Sequence, residues 1–301
     1  MKRFKGSMLL ILAALFFGGC NFDLNYDRYA IVYGIADYDD PIPGYYPGVP
    51  TSNDLSYTDN DAEDMAQLLT NQGYNVTLST SVTQAQLDSD FATARAQAGK
   101  DDLFLFFFSG HGGQDLQGQF NEPPPGDDAD EFIVLSDAST DLYIIDNELG
   151  DLIASIPALK KIVIIDACNS GGFIGNKLEV DATPPDYSGT EDSSLGQAIS
   201  LWANFSGEAY DISPYDALVI SASGEREYSW EGGVPYNHGF FTYFLLETPD
   251  HGDNNGDGYV TVTEAYYYTR TNLLSLFSGS SKVYAPHVSG GPVDFVLFEA
   301  R

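Results

Sequence analysis

The chain has 301 residues, of which 43% are hydrophobic and 14% are aromatic. This length allows one large α/β domain or two small ones, and the aromatic content excludes a disordered chain. The formal net charge is -31, from 13 Lys and Arg against 44 Asp and Glu. Because such a surface repels phosphate backbones, we expect no nucleic acid partner.

The N-terminal segment has the pattern of a targeting sequence. Basic residues among the first five positions precede the apolar stretch Met8–Phe17, which is too short to span a membrane comfortably. Two glycines and Cys20 follow, and small residues before a single Cys resemble a bacterial lipobox. Phe17 departs from that pattern, where Leu is usual, so an ordinary secretory signal or an uncleaved anchor is the alternative.

This resemblance implies an exported lipoprotein of the bacterial cell envelope. Residues 1–19 would be the signal peptide, Cys20 the lipidated residue and residues 20–28 a short tether. A lipid bilayer is then a partner of the N-terminus.

Strand-like and helix-like segments alternate along the rest of the chain. This order predicts right-handed crossovers and an α/β fold with a mostly parallel sheet of about six strands flanked by helices. The predicted strands are Arg28–Ala36, Tyr74–Leu78, Leu103–Phe108, Phe132–Leu135, Ile162–Ile165 and Ala217–Ser221. The predicted helices are Asp59–Asn71, Thr83–Gly99, Asp146–Ile156, a segment near Leu195–Asn204, His238–Leu246 and Thr263–Phe277.

Two of the apolar runs end in glycine-rich turns that carry reactive side chains. Leu103–Phe108 leads into His111, and Ile162–Ile165 leads into Cys168. Ligands bind at the carboxyl ends of parallel strands, and a thiol beside an imidazole becomes a strong nucleophile. We therefore expect Cys168 as nucleophile and His111 as base, with backbone N–H groups of Gly112 and Cys168 holding the oxyanion. The alternative is a buried structural cysteine and two tight connections.

The spacing and flanking residues of this pair resemble a known family. A His-Gly turn followed by a Cys 57 residues later (168 − 111) is similar to caspase-like cysteine peptidases. The segment Asp166-Ala167-Cys168-Asn169-Ser170-Gly171 lacks the Gln-Ala-Cys of true caspases and resembles metacaspases and bacterial caspase-like proteins. Asn60-Asp61-Ala62 and the Ser-Gly-Glu-Arg loop at 223–226 match the same pattern. The resemblance implies a caspase-like peptidase domain over residues 29–301.

The resemblance also implies the substrate class. In metacaspases acidic groups hold an Arg or Lys before the scissile bond, and these groups correspond to Asp61, Ser109 and Asp166. A guanidinium does prefer a bidentate carboxylate. The rival roles are a helix N-terminal charge for Asp61 and an orienting hydrogen-bond acceptor for Asp166.

The expected function is a membrane-anchored cysteine endopeptidase that cleaves proteins or peptides after Arg or Lys. The alternatives are a catalytically inactive caspase-like binding module and a peptidase specific for acidic residues. Caspase-like enzymes often cut the linker after the Cys strand, and Lys177 is the only basic residue between Cys168 and Arg226. Self-cleavage after Lys177 is therefore expected.

A separate acidic loop at Asp253–Glu264 has the spacing of an EF-hand calcium loop, including the glycine at the sharp turn. We expect a structural Ca²⁺ and no organic cofactor; the alternative is an acidic turn before a helix capped at Thr263. The other histidines, His238, His251 and His287, lack zinc spacing and are expected at surface or packing positions. The expected Ca²⁺ ligands are Asp253, Asn255, Asp257, Tyr259, Thr261 and Glu264.

Overall fold

The structure is a computed structural model that describes residues 25–38, 54–115, 130–167, 217–222, 229–280, 286–289 and 294–301. Its strands are β1 (Arg28–Gly34), β2 (Asn75–Ser79), β3 (Leu103–Gly110), β4 (Gly112–Asp115), β5 (Asp130–Ser136), β6 (Asp141–Ile145), β7 (Lys160–Ala167), β8 (Ala217–Ser221), β9 (Glu231–Gly232), β10 (His238–Gly239), β11 (Tyr259–Thr261), β12 (His287–Ser289) and β13 (Val296–Glu299). Its helices are α1 (Thr58–Asn71), α2 (Gln84–Gln97), α3 (Asp146–Ala154), α4 (Phe240–Leu246), α5 (Thr248–His251) and α6 (Val262–Leu276).

The centre of the fold is a six-stranded sheet in the order β12-β8-β7-β3-β1-β2. Neighbouring strands from β8 to β2 pair in parallel, and β12 closes one edge in the antiparallel direction. The predicted α/β fold with about six mostly parallel strands is confirmed.

Both faces of this sheet are covered, which explains its unbroken apolar runs. Along β3, Phe104, Phe106 and Phe108 pack on the side of α2 and α3. Leu103, Leu105 and Phe107 pack on the other side, with α1, α4 and α6. All eight residues of β3 are buried, so neither face tolerates a polar side chain in the middle of the strand.

The helix boundaries follow local signals in most places. Thr83 caps α2 by accepting a hydrogen bond from the Gln86 N–H, as its side chain predicts. Gly73, directly after α1, has a φ of +83°, a conformation that glycine adopts without strain. At α6 the cap is Thr261, which forms a capping box with Glu264, whereas the alternative in the sequence placed the cap at Thr263.

The helix predicted over His238–Leu246 begins two residues later than expected. His238 and Gly239 form the short strand β10, which pairs with β9. Gly239 has extended dihedral angles, and its N–H donates to the Asp61 carboxylate rather than to a helix. A contact with a distant side chain therefore sets the start of α4 at Phe240.

Small sheets complete the fold beside the central one. The three-stranded sheet β4-β5-β6 follows directly from the end of β3, and β11 pairs with β13. Several predicted features lie outside the described residues: the signal peptide, Cys20, Cys168, Lys177, the helix near Leu195–Asn204 and the loop at 223–226. Among the helices that the structure does describe, none combines the length and hydropathy needed to cross a bilayer.

Candidate active site

The paired ends of β3 and β7 bring the two glycine-rich turns to neighbouring positions. Ser109 lies opposite Asp166 and Gly110 lies opposite Ala167 in the parallel register. His111 is the next residue after Gly110, and Cys168 is the next residue after Ala167. The structure thus places the residues before both predicted catalytic groups side by side, although Cys168 itself lies outside the described range.

Contacts with Tyr38 hold His111 in place. The backbone N–H of His111 donates to Tyr38 Oη over 2.8 Å, and the two rings lie 4.4 Å apart between centroids. The His111 carbonyl oxygen accepts a hydrogen bond from Val134 N–H over 2.9 Å. A Cβ on Gly110 would come within 2.5 Å of Tyr38 Oη, so the glycine is required for this packing.

Gly112, the predicted oxyanion donor, opens β4 directly after His111. It pairs with Ile133 of β5, so the turn is continuous with a hydrogen-bonded strand. The imidazole is 5% exposed, and its backbone is fixed on both sides. The turn is therefore rigidly connected to the fold rather than carried on a long loop.

The predicted substrate-binding residues converge behind the turns. Asp61 of α1 is fully buried and accepts a hydrogen bond from Ser109 Oγ over 2.7 Å. Asp166 of β7 accepts from the Thr242 N–H over 3.2 Å, from Thr242 Oγ1 over 2.7 Å, and from the Ser229 hydroxyl. Five separated parts of the chain thus contribute to one buried acidic cluster.

Gly239 is the point at which the two carboxylates meet. Its N–H donates to both oxygens of Asp61, over 3.1 and 3.2 Å. A Cβ on Gly239 would lie 2.5 Å from Asp166 Oδ2 and 3.0 Å from Asp61 Oδ2. Only glycine allows both carboxylates to approach the backbone here. We call Asp61, Asp166, Ser109 and Gly239 the acidic pocket.

Burial dominates the electrostatics of the acidic pocket. It raises the pKa of Asp61 to about 7; the hydrogen bond from His238 opposes this rise, and the charge of Asp166 adds to it. Burial also raises the pKa of Asp166, against the hydrogen bonds from Ser229 and Thr242. Two buried carboxylates therefore compete for ionisation, and a nearby cation stabilises their charged forms.

His238 is part of this arrangement, which the sequence interpretation did not foresee. Its Nδ1 lies 2.9 Å from Asp61 Oδ1, and its Nε2 lies 3.3 Å from Asp64 Oδ2. The side chain is 12% exposed, so it is largely buried beside Asp61 rather than at the surface. The sequence does contain one signal for such a role: His238 and Gly239 form a second His-Gly pair, directly before an apolar helical segment.

Glu231 is a second residue that sequence reasoning missed. It accepts hydrogen bonds from the N–H groups of Ser56 and Tyr57, each over 3.0 Å. These two residues directly precede α1, so Glu231 anchors the beginning of the helix that carries Asp61. No motif marks such a contact, because the partners are more than 170 residues apart, at a separation of 174 for Tyr57.

Comparison with known proteins gives the family. The family model described as "Caspase domain" matches residues 27–278 of this chain. The chain belongs to the caspase-domain family. No curated protein matches it.

Solved structures agree with a caspase fold. The caspase domain here is similar to the crystal structure of a Geobacter sulfurreducens protein, with 22% identity, a TM-score of 0.56 and coverage of 89% of this chain and 95% of that one. It is also similar to caspase-1 from Spodoptera frugiperda, with 14% identity, a TM-score of 0.54 and coverage of 90% of each chain. At these identities the similarity shows the fold, and the family supports a cysteine peptidase-like protein acting on proteins or peptides.

The acidic loop of this caspase domain has Ca²⁺-type donors in a compact turn. Asp253 accepts from the N–H groups of Gly256 and Asp257 through Oδ1 and from Gly258 through Oδ2. Gly258, at the sharp turn of the EF-hand pattern, has a φ of +90°. Glu264 Oε2 accepts from the Thr261 N–H and Oγ1. The oxygen donors thus fit Ca²⁺ chemistry.

Within the described ranges, however, no group of three or more His, Cys, Asp or Glu side chains lies close enough together to hold a metal ion. The six predicted ligands share one loop and the start of α6, and several of their oxygens accept backbone hydrogen bonds, including Asn255 Oδ1 from Asp257 and Asp257 Oδ1 from Tyr259. Calcium binding therefore stays a prediction.

Proposed function

We propose that this caspase-domain protein is a cysteine endopeptidase that cleaves after Arg or Lys, with His111 as base and Cys168 as nucleophile. The family and the paired ends of β3 and β7 support the dyad. The acidic pocket supports the basic specificity.

In this mechanism His111 takes the proton of Cys168 Sγ, and the thiolate attacks the carbonyl carbon of the scissile bond. N–H groups of Gly112 and Cys168 hold the negative charge that develops on the carbonyl oxygen. His111 then protonates the leaving amine. Water, deprotonated by His111, releases the acyl group and restores the thiol.

The observation that carries the specificity is the meeting of Asp61 and Asp166 at Gly239. Their excess negative charge, held in a buried site, favours a cationic substrate side chain over an anionic one. A pocket for an acidic residue needs cations instead. Among the described ion pairs none joins an Arg or Lys to either carboxylate, and Arg28 and Arg95 donate to Gln72 and Ser155, respectively.

A fluorogenic peptide panel tests this function, with Arg, Lys, Asp or Asn before the scissile bond. We expect turnover of the Arg and Lys peptides by the wild type and none by Cys168→Ala. Preferred cleavage after Asp would support the acidic specificity. No Cys168-dependent turnover of any peptide, with and without Ca²⁺, would support the inactive binding module.

We also propose that the protein is a lipoprotein anchored through Cys20, on the strength of the N-terminal pattern alone. Expression with radiolabelled palmitate in a bacterial host tests the anchor. Label in the wild type and its loss in Cys20→Ser are expected. Equal label in both would contradict it.

Calcium binding by the Asp253–Glu264 loop is proposed as a stabilising feature that does not switch activity. Ca²⁺ should raise the thermal midpoint of the wild type, with less effect on Asp253→Asn, while turnover stays unchanged. Mg²⁺ controls for general screening by divalent cations. A change in activity without a change in stability would reverse this assignment.

Self-cleavage after Lys177 follows from the same specificity. Mass spectrometry of the purified protein should find fragments that end at Lys177 in the wild type and not in Cys168→Ala. Cleavage there in both proteins, or in neither, would refute it.

A further inference from the structure

His238 links the acidic pocket to solvent. One ring nitrogen contacts the fully buried Asp61, and the other contacts Asp64, whose side chain is 63% exposed. Within the described residues, His238 is the one side chain able to carry a positive charge that contacts Asp61 or Asp166. It therefore acts as the local counter-charge of two buried carboxylates.

The groups around the imidazole come from several elements. Asp61 and Asp64 face it from α1, and the charge of Asp166 on β7 acts on it at longer range. The ring of Tyr243 on α4 lies 6.4 Å away between centroids. Burial lowers the pKa of His238, but the contacts with Asp61 and Asp64 outweigh it and leave the pKa raised.

We propose that His238 is a positioning residue for basic specificity: it favours the ionised form of Asp61 before substrate arrives and releases its proton to solvent when a basic side chain enters. This inference rests on the proposed function, because it assumes that the acidic pocket receives a cation. Without His238 the proton would reside on the Asp61 carboxyl itself. A guanidinium would then have to displace it from there, at a greater cost in binding free energy.

The exchange conserves the charge of the pocket. Before binding, when both carboxylates are ionised, they and the imidazolium carry a net charge of about -1. After binding, two carboxylates, one neutral imidazole and one substrate cation carry the same charge. One proton therefore leaves for each cation that enters, and the affinity for the cation rises with pH until His238 has lost its proton.

Binding of benzamidine, a planar cation that resembles an arginine side chain, tests the inference on full-length protein carrying Cys168→Ala. Isothermal titration calorimetry from pH 5 to 9 gives the affinity for benzamidine. Repeating it in buffers of different ionisation enthalpy gives the number of protons released on binding. His238→Gln should move the midpoint of the pH profile upward and weaken binding below that midpoint about tenfold for each pH unit by which it moves.

Asp64→Asn is the matched variant, since it alters an exposed residue and so threatens folding less. It removes a partner that stabilises the imidazolium, so the midpoint should move to lower pH. Opposite shifts in the two variants distinguish proton sharing from structural damage, and thermal unfolding checks that each variant folds. If His238→Gln does not fold, the Asp64→Asn shift still decides.

The inference is overturned if the two variants shift the midpoint in the same direction, if their profiles superimpose on that of the parent, or if benzamidine does not bind at any pH. The proposed peptidase function fails separately. Benzamidine could bind with the expected pH profile although the wild-type protein, which has Cys168, cleaves no peptide. That result would support the role of His238 and contradict the proposed peptidase activity.

Discussion

Gly239 shows how one residue without a side chain organises the candidate site. It gives both oxygens of Asp61 a donor and leaves room for Asp166. The resemblance of the sequence to metacaspases indicated Asp61, Ser109 and Asp166. The contact of His238 with Asp61 was not predictable, because it joins residues 177 positions apart and no local pattern encodes it.

Gly239→Ala should lower both stability and cation binding. The added Cβ would lie 2.5 Å from Asp166 Oδ2, and overpacking of this kind costs about 1–3 kcal/mol. Chemical denaturation and benzamidine titration measure the two effects. Gly233→Ala is a control in a neighbouring turn, where the nearest atom to a Cβ is the Tyr57 hydroxyl at 3.3 Å. Equal, small effects of both variants would contradict the close approach at Gly239.

Asp61 makes stability depend on pH. Its pKa is raised from the usual 3.8 to about 7 in the folded chain, and that of its partner His238 is raised too, so folding favours a bound proton on this pair of residues. Its contribution is fully present below about pH 3.8 and is lost as the pH rises through 7. The free energy of unfolding should therefore fall between pH 5 and 8, and His238, whose pKa is also raised, acts in the same direction.

Denaturant titrations of the wild type and Asp61→Asn measure this effect. As the pH rises, the unfolding free energy of Asp61→Asn should increase relative to that of the wild type. Glu63→Gln controls for the loss of one carboxylate from the same helix. A difference that stays constant from pH 5 to 8 would contradict the raised pKa.

At the scale of elements, the close contact of β1 with α1 positions Asp61. The Thr58 hydroxyl donates to the Ile35 carbonyl oxygen over 2.6 Å, just beyond the end of β1. A Cβ on Gly34 would lie 2.1 Å from the Thr58 carbonyl oxygen. The helix that carries Asp61 therefore begins in direct contact with the end of β1.

Gly34→Ala should push α1 away from the sheet and destabilise the protein by about 3 kcal/mol, the upper end of the usual cost of overpacking, since the clash is with the Thr58 backbone and Ala62 Cβ. Activity on basic substrates should fall with it. Gly99→Ala is the control, because its Cβ meets only the Asp102 side chain at 3.2 Å. Thermal unfolding and the Arg peptide assay report both effects, and equal behaviour of the two variants would refute the account.

The strength of the apolar pattern decided how well the sequence predicted each element. Segments with strong patterns were predicted well, and the predicted and observed bounds of the five-residue strand β8 are the same, Ala217–Ser221. The sequence analysis missed the strands β4, β6, β9, β10, β11, β12 and β13, which have two to five residues each. Such short strands exist through pairing with another strand, so their own residues carry too little pattern to predict them.

At the scale of the whole molecule, the net charge of -31 opposes compaction. Salt screens this repulsion over a Debye length of about 10 Å at 0.1 M. The thermal midpoint should therefore rise when NaCl increases from 50 to 500 mM. Differential scanning calorimetry measures it, with sucrose at matched osmolality as the control. A midpoint that falls with added salt would indicate that specific ion pairs outweigh the repulsion.

In the proposed function His111 activates the thiol of Cys168, and a basic side chain of the substrate determines the site of cleavage. The most direct test is labelling with peptidyl chloromethyl ketones that carry Arg or Asp at the terminal position, followed by mass spectrometry, because the chain has only two cysteines. The Arg reagent should modify Cys168, and His111→Ala should slow this at least ~100-fold. Faster labelling by the Asp reagent, or labelling that does not depend on His111, would contradict the account.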